Sequence, residues 1–120
     1  MRVRGFRGAT LLAADDSAEM ADAVGELLRE MMLRNDVESD AIVSIVFTAT
    51  PDLHSAFPAA AARSLGLTDV PLLCAQEIDV TGAVPRAVRI LMHAETERAR
   101  GDVEHVYLRG ADVLRQDLAR

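Results

Sequence analysis

Hydrophobic positions change their spacing several times along the chain, and each change predicts a different secondary-structure element. Between residues 17 and 34, apolar side chains recur at the three- and four-residue spacing of a helix with one buried face. Asp16 and Glu19 just before and inside this segment form a capping box, which marks a helix start. We therefore predict a first helix over residues 17–34, with its methionines and leucines in the core.

Apolar and β-branched runs elsewhere predict five strands. The run at residues 41–49 is almost continuously apolar, which is typical of a strand covered on both faces. The other predicted strands are residues 3–9, 72–78, 86–95 and 104–108. A second helix is predicted from Pro58 to Leu65, because proline favours the first helical position and Gly66 suits a helix end.

This order, β-α-β-α-β-β-β, predicts an α+β fold: an α/β sandwich whose mixed β-sheet carries its helices on one side. A length of 120 residues predicts one domain over residues 1–120. Residues from about 110 to 120 read as a polar tail, a short helix or partly disordered end, anchored only by Ala111, Val113 and Leu114. The other face of the sheet is predicted to be apolar and to need a cover, which indicates an oligomer.

Charge and cysteine content narrow the class of function. The net charge is −6, and the 13 basic residues, all arginine, are spread along the chain, which argues against binding to nucleic acid or to an anionic membrane. No apolar run approaches the roughly 18 residues of a membrane span. The single cysteine cannot form an intramolecular disulfide, so we expect a reducing, cytoplasmic location.

The segment from residue 70 to 89 holds the most informative group of polar side chains. Cys74, Glu77 and Arg89 lie there beside two predicted strands, with Glu77 at the end of one and Arg89 at an inward position of the next. A carboxylate and a guanidinium are costly to bury alone. Glu77 and Arg89 therefore either pair with each other or await a ligand.

Several kinds of chemistry find no support in the spacing of residues. Nothing local places Cys74 beside a histidine, no HxxxH or CxxC motif suggests a metal site, and the glycines near residue 5 are too weak a signal for a phosphate loop. A set of polar side chains is left without an assigned chemistry: Arg7, Arg63, Arg89, Arg115, Glu77, Cys74 and Tyr107. These residues form either a structural ion-pair network or a pocket for a small polyanion, in which Glu77 orients a hydroxyl.

Five blocks of sequence, in register over essentially the whole chain, carry a resemblance. They are RGxRGAT at residues 4–10, ATPDLHxxFPA at 49–59, VPLLCAQEIDVTG at 70–82, RxxRxLM at 86–92 and HVYLRGAxVLRxDL at 105–118. Together they resemble the trimeric α/β class of monofunctional chorismate mutases. The chain departs from the best-known pattern of that class at Ala60, where the pattern has lysine, and at Leu73, where it has threonine.

The resemblance implies a pseudo-α/β-barrel homotrimer with three active sites at subunit interfaces, converting chorismate to prephenate without a metal or cofactor. Residues that match the catalytic positions of the family are Arg89, Glu77, Arg7 and Tyr107. Residues that match its substrate-binding positions are Phe57, Ala59, Arg63, Leu72, Leu73, Cys74 and Arg115, the last as a tail arginine that helps to close the site.

The resemblance also implies roles for these residues. Arg89 would face the ether oxygen of chorismate and Glu77 its ring hydroxyl, so a substrate lying between them becomes the favoured answer to the question of pairing. Cys74 would contact the same hydroxyl, although strand alternation sets it opposite Glu77 unless the strand bends or ends between them. Arg7, Tyr107 and Arg63 would hold the carboxylates.

Two rival functions stay open at this point. One is a non-catalytic trimeric module that binds an anionic metabolite between subunits, although such a module gains nothing from a carboxylate at Glu77. The other is a small trimeric deaminase or hydrolase, which would need a positioned water and a base. Loss of chorismate absorbance on mixing with the protein, without metal or cofactor, distinguishes a mutase from both rivals.

Overall fold

The computed structural model describes residues 1–118, in which a single mixed sheet carries two α-helices. The strands are β1 (Arg2–Leu11), β2 (Ile42–Ala49), β3 (Leu72–Gln76), β4 (Ala87–Thr96) and β5 (Val106–Leu108), and the helices are α1 (Ser17–Arg34) and α2 (Ala59–Ser64). Short 3₁₀ helices cover Ser39–Ala41, Arg100–Asp102 and Ala111–Leu118. The predicted order of strands and helices and the α+β class are confirmed.

The sheet has the strand order β3-β2-β4-β1-β5. The central strand β4 runs antiparallel to both of its neighbours, β1 and β2, whereas the outer strands β5 and β3 run parallel to β1 and β2. Of the strands that are consecutive in the chain, only β2 and β3 are therefore adjacent in the sheet. This topology brings residues from the beginning, middle and end of the chain onto one surface.

Helix α1 begins and ends at the predicted residues because local signals define both ends. The Asp16 carboxylate accepts a hydrogen bond from the Glu19 amide at 2.8 Å, which satisfies one of the free N–H groups of the first turn. The Glu19 side chain does not complete the capping box on Asp16. It accepts instead from the amides of Ala13 and Ala14, at 2.6 and 3.1 Å, and so fixes the loop that enters the helix.

Both helices lie on one face of the sheet, as predicted. Their buried side chains share one core with Phe6, Ile45 and Phe47 of the strands. Helix and sheet approach closely at Gly8 of β1, where an added Cβ would overlap the Met31 sulfur of α1. Glycine at this position is what allows α1 to lie directly on the strand.

Alternate residues of the central strands point to the opposite side, which we call the open face. Val46, Leu91 and the 61% exposed Leu73 are apolar, but Arg7 and Arg89 lie on the same face. The predicted apolar face thus also carries charged groups among its hydrophobic residues. Its exposed apolar part still has no cover within the chain.

Several predicted element ends move by one or two residues. β3 stops at Gln76 rather than residue 78, β5 starts at Val106 rather than residue 104, and α2 starts at Ala59 with Pro58 as its N-cap. In the tail, Ala111 and Leu114 are buried anchors, but Val113 is 47% exposed, so its predicted anchoring role is wrong. Residues 119 and 120 of the predicted tail lie outside the described part of the chain. Within the described part, no helix is both long enough and apolar enough to cross a membrane.

Candidate functional site

A cavity of about 300 Å³ on the open face gathers three of the four residues predicted to be catalytic. Arg7 comes from β1, Arg89 from β4 and Tyr107 from β5. Strand register explains the grouping, because Ala9 of β1 lies between Arg89 on one side and Tyr107 on the other. The full lining of this open-face pocket is Arg7, Gly8, Ala9, Val46, Thr48, Arg89, Ile90, Leu91, Tyr107 and Leu114.

Glu77, the fourth predicted catalytic residue, reaches this pocket through Arg89. The Arg89 Nε donates to the Glu77 carboxylate, at 3.0 Å to Oε2 and 3.3 Å to Oε1. The inference that the two groups stay apart until a ligand comes between them is therefore wrong. Strand register places Thr48 and Arg89 opposite each other, and Glu77 follows β3 at the same end of the sheet, so the charges meet without a ligand.

The pair leaves most of the Arg89 guanidinium available. Only Nε bonds to Glu77, and the two Nη groups have no hydrogen-bond partner among the described residues. The Arg89 side chain is 44% exposed and Glu77 only 16% exposed. The predicted inward position of Arg89 is therefore wrong if it means the helix side of the sheet. Arg89 lies on the open face, where it presents a fixed cation to the open-face pocket.

Cys74 and Glu77 lie on opposite faces of the sheet. Cys74 is opposite the fully buried Phe47 and packs against the core on the helix side. Strand β3 ends at Gln76, and the Glu77 amide then donates to the Ala49 carbonyl at 3.0 Å. Cys74 and Glu77 of one chain therefore do not face the same ligand atom.

The rim of the open-face pocket near Tyr107 carries further positive charge. The Arg115 guanidinium lies 5.5 Å from the centre of the Tyr107 ring, within cation–π distance. On the same edge, the Arg7 backbone amide donates to Nδ1 of His105 at 3.0 Å. Desolvation, followed by the charges of Arg7 and Arg115, lowers the pKa of His105. The neutral imidazole is the form that can accept this bond.

A second cavity, of about 430 Å³, lies at the other side of β3 and holds two of the predicted substrate-binding residues, Phe57 and Cys74. We call it the loop pocket, because most of its lining comes from the connection between β2 and α2. Phe57 is 72% exposed, an unusual environment for a large aromatic side chain. The full lining is Ala49, Thr50, Leu53, His54, Ser55, Ala56, Phe57, Pro58, Cys74, Ala75 and Gln76.

Asp15 anchors the loop that carries Phe57. Its carboxylate accepts from the amides of His54 and Ser55, both at 3.0 Å, while the Ser55 hydroxyl donates to the Asp15 carbonyl at 2.9 Å. Hydrogen bonding from Ser55 is the main reason that the pKa of Asp15 lies below its usual value. The loop pocket is thereby held against the segment that enters α1.

The remaining predicted binding residues are dispersed within one chain. Ala59 is buried in the core and Leu72 is half-buried against it, whereas Leu73 lies exposed on the open face. Arg63 is exposed on α2 and lines neither pocket. The structure of one chain therefore brings Arg7, Arg89, Tyr107 and Glu77 together, but does not bring Arg63 or Phe57 to them.

Two polar residues of this region were not singled out from the sequence. Thr48 donates to Glu77 Oε2 at 2.7 Å, and its signal was a hydroxyl in a mostly apolar strand, which it shares with Ser44. His105 is the second, and its signal was its place two residues before Tyr107, which extended geometry puts on the same side of the chain. Across residues 1–118, no three His, Cys, Asp or Glu side chains form a group suited to hold a metal ion.

Comparison with known proteins gives a consistent result. The family model for type I chorismate mutase matches residues 3–118. Chorismate mutase AroH of Bacillus subtilis strain 168 is 39% identical over 120 residues, covering 99% of this chain and 94% of the relative. Chorismate mutase AroH of Thermus thermophilus is 44% identical over 117 residues, covering 97% of this chain and 96% of the relative. The structure of a chorismate mutase from Clostridium thermocellum superposes with a TM-score of 0.90 at 44% identity, covering 92% of this chain and 98% of that chain.

Proposed function

Since this chain belongs to the type I chorismate mutase family, we propose that it works as a homotrimer in which the open-face pocket of one chain and the loop pocket of the next form one active site. The protein is an isomerase that rearranges chorismate to prephenate, a step in the biosynthesis of phenylalanine and tyrosine. The observation that carries the proposed site is the convergence of Arg7, Arg89 and Tyr107 on one cavity of about 300 Å³.

The reaction makes limited demands on a protein. It is an intramolecular pericyclic rearrangement, in which the ether C–O bond breaks ahead of C–C bond formation and leaves partial negative charge on the enolpyruvyl oxygen. No proton moves and no covalent intermediate forms. The protein must therefore do two things, which are to hold a flexible dicarboxylate in a compact conformer and to stabilise the developing charge.

Arg89 performs the second task in our proposal. Its Nε is fixed by Glu77, and its Nη groups have no partner among the described residues, so they can donate to the ether oxygen as charge develops there. A cation that is already oriented needs no reorganisation at the moment of reaction. The 44% exposure of its side chain means that substrate, or a second subunit, must exclude water for the charge to act at full strength.

Arg7 and Tyr107 perform the first task at the opposite side of the open-face pocket. Arg7 offers a planar fork suited to a carboxylate, and Tyr107 adds a phenolic donor. Arg115, stacked on the Tyr107 ring, is placed to shield the bound carboxylate from solvent. These positive groups also offset the net charge of −6, which would otherwise repel a dianionic substrate.

Glu77 and Cys74 meet the ring hydroxyl from two different chains in this proposal. One Glu77 oxygen already accepts from Thr48 and Arg89, and the second has only the long 3.3 Å contact with Arg89, so it can accept from the substrate hydroxyl. Cys74, on the other face of its own sheet, would reach the same hydroxyl from the neighbouring subunit. Phe57 and Arg63 would come from that subunit too, as apolar wall and carboxylate ligand.

The unpartnered open face supports the trimer. It exposes Leu73 and Leu91 among charged residues, and neither helix of the chain covers it. Faces of this kind are usually closed by a further copy of the chain. A cytoplasmic location is part of the same proposal and agrees with a single cysteine that has no partner for a disulfide within the chain.

The direct test is to mix purified protein with chorismate, without metal or cofactor, and follow the loss of chorismate absorbance together with the appearance of prephenate. Because no titrating group takes part, we expect turnover to be flat across neutral pH. Sedimentation should give the mass of three chains. An active, well-folded monomer would contradict the shared site, and no turnover at all would contradict the function.

A further inference from the structure

The geometry points to Thr48 as a positioning residue that holds the Glu77 carboxylate in place and, through it, the Arg89 guanidinium. The inference rests on the proposed function of Arg89 and extends it by one residue. Thr48 lines the open-face pocket, but the role inferred here is its bond to Glu77 rather than a contact with substrate. Its action is on the orientation of the two charged groups.

The contacts form a short chain of hydrogen bonds. The Thr48 hydroxyl donates to Glu77 Oε2 at 2.7 Å, and the same oxygen accepts from Arg89 Nε at 3.0 Å. One carboxylate oxygen is thus held from two directions by donors on two neighbouring strands, β2 and β4. A carboxylate fixed at both sides cannot rotate freely, and an Arg89 bonded to it cannot swing away without breaking a charged hydrogen bond.

Strand register explains why Thr48 has this place. Thr48 lies directly opposite Arg89 on β4 and opposite Ala75 on β3, two residues before Glu77. β2 is bonded to a strand on each side, so the backbone that carries the hydroxyl is firmly held. Glu77, in contrast, follows the end of β3, where its backbone amide donates to the Ala49 carbonyl at 3.0 Å. The hydroxyl therefore links a carboxylate that lies beyond the strand end to the centre of the sheet.

Arg89 needs such support because its side chain is long and partly exposed. An arginine side chain loses considerable rotamer entropy when it is fixed in one position, and catalysis by a preorganised charge requires that this loss occur before substrate arrives. Displacement of a catalytic group by about 1 Å can cost about a hundredfold in rate. The energetic role of Thr48 is to keep Arg89 in its reactive place in the free enzyme.

The test uses Thr48→Val and Thr48→Ser. Valine keeps the shape and the β-branched backbone preference of threonine but removes the donor, and serine keeps the donor. We expect Thr48→Val to lower kcat about tenfold, the effect of losing one hydrogen bond to a charged group, with KM nearly unchanged. We expect Thr48→Ser to keep kcat within about twofold of the wild type.

Thr10→Val is a matched control. Thr10 is also a strand threonine, but its buried hydroxyl has no hydrogen-bond partner among the described residues, and it lies outside both pockets. The same change of side chain there should leave kcat unchanged. A loss of kcat in Thr10→Val equal to that in Thr48→Val would show a general effect of the substitution on the sheet and would overturn the inference.

A second measurement does not depend on turnover. The ¹⁵N–¹H NMR signal of Arg89 Nε, assigned by its loss in Arg89→Gln, should be sharp in the wild type and in Thr48→Ser, and broadened or shifted in Thr48→Val. If the wild type fails to convert chorismate, the proposed function fails, and this signal alone decides the role of Thr48. An unchanged signal in Thr48→Val, an unchanged kcat, or an equal loss in Thr48→Ser would each overturn the inference.

Discussion

The open-face pocket and the loop pocket differ in how they are built. Arg7, Arg89 and Tyr107 of the first project from three hydrogen-bonded strands, so backbone pairing fixes their separations. The second surrounds Phe57 and Cys74 mainly with residues of one loop, which Asp15 holds at its entry. Sites on strands keep precise geometry, whereas loop residues adapt more readily. In our proposal, the open-face pocket therefore stabilises charge and holds the carboxylates, and the loop pocket supplies an apolar wall for the substrate.

The largest expected effect comes from the open-face pocket. Arg89→Gln should lower kcat by about two to three orders of magnitude, equal to about 3–4 kcal/mol of transition-state stabilisation, while substrate binding stays detectable. Steady-state kinetics and binding by calorimetry measure the two quantities separately. Arg29→Gln, at an exposed arginine of α1 outside both pockets, is the matched control. Near-full turnover in Arg89→Gln would contradict the proposal that the open-face pocket stabilises the developing charge.

The loop pocket should respond through binding. Phe57→Asp places a carboxylate against a dianionic substrate, and like charges at a contact cost several kcal/mol, so we expect KM to rise by at least about tenfold and kcat to change less. Phe57 is 72% exposed in the chain, so the change should not unfold it. Leu33→Asp, at a similarly exposed apolar residue on α1, is the control. A fall in kcat at constant KM would instead place Phe57 with the charge-stabilising residues.

The strand-built pocket also depends on the helix beneath it. In Gly8→Ala the new Cβ would overlap Met31 and approach Leu27, so α1 must shift from β1. We expect a loss of about 1–3 kcal/mol in the free energy of unfolding, measured in urea. Gly101→Ala, where an added Cβ meets nothing within 4 Å, should be near neutral. Equal stability of the two variants would show that packing of α1 against Gly8 does not hold β1, and with it the open-face pocket, in place.

The smallest expected effect concerns pH. Desolvation and the charges of Arg7 and Arg115 lower the pKa of His105 below its ordinary value of about 6.5. Between the lowered folded pKa and the higher unfolded one, the unfolded chain binds more protons, so stability rises with pH there and is lost as pH falls below about 6.5. The stability difference between wild type and His105→Asn should therefore shrink from about pH 7.5 to about pH 5.5. A difference that does not change with pH would contradict the neutral imidazole at Arg7.

Local signals in the sequence predicted local structure well. The predicted bounds of α1 agree with Ser17–Arg34 because a cap and a helical period are encoded in adjacent residues. The Glu77–Arg89 pair and its bond to Thr48 could not be predicted in this way. They depend on the register between β2, β3 and β4, which adjacent residues do not encode. Val113 was misassigned because every apolar residue of the tail was taken as an anchor, whereas the three-residue period of a 3₁₀ helix places Ala111 and Leu114 on one face and Val113 on another.

The sequence could not show which residues of the two pockets share one chain's site. Resemblance to a family supplied both sets without stating which chain holds each. The structure of one chain then separated them, with Cys74 and Glu77 on opposite faces of the sheet. Residues on opposite faces of one sheet cannot line the same site within a single chain. They can do so when a symmetric assembly brings the two faces of neighbouring chains together.

The central claim is that two chains share each active site, and mixing two defective variants tests it most directly. Arg89→Gln damages the open-face pocket and Phe57→Asp damages the loop pocket. In a mixed cyclic trimer, one of the sites combines two intact halves, and random mixing in equal amounts makes about three quarters of the trimers mixed. At chorismate concentrations well below KM, where each variant alone is slow, co-expression of the two variants should therefore restore about a quarter of the wild-type rate per chain. A rate no higher than the average of the two variants measured alone would contradict the shared site.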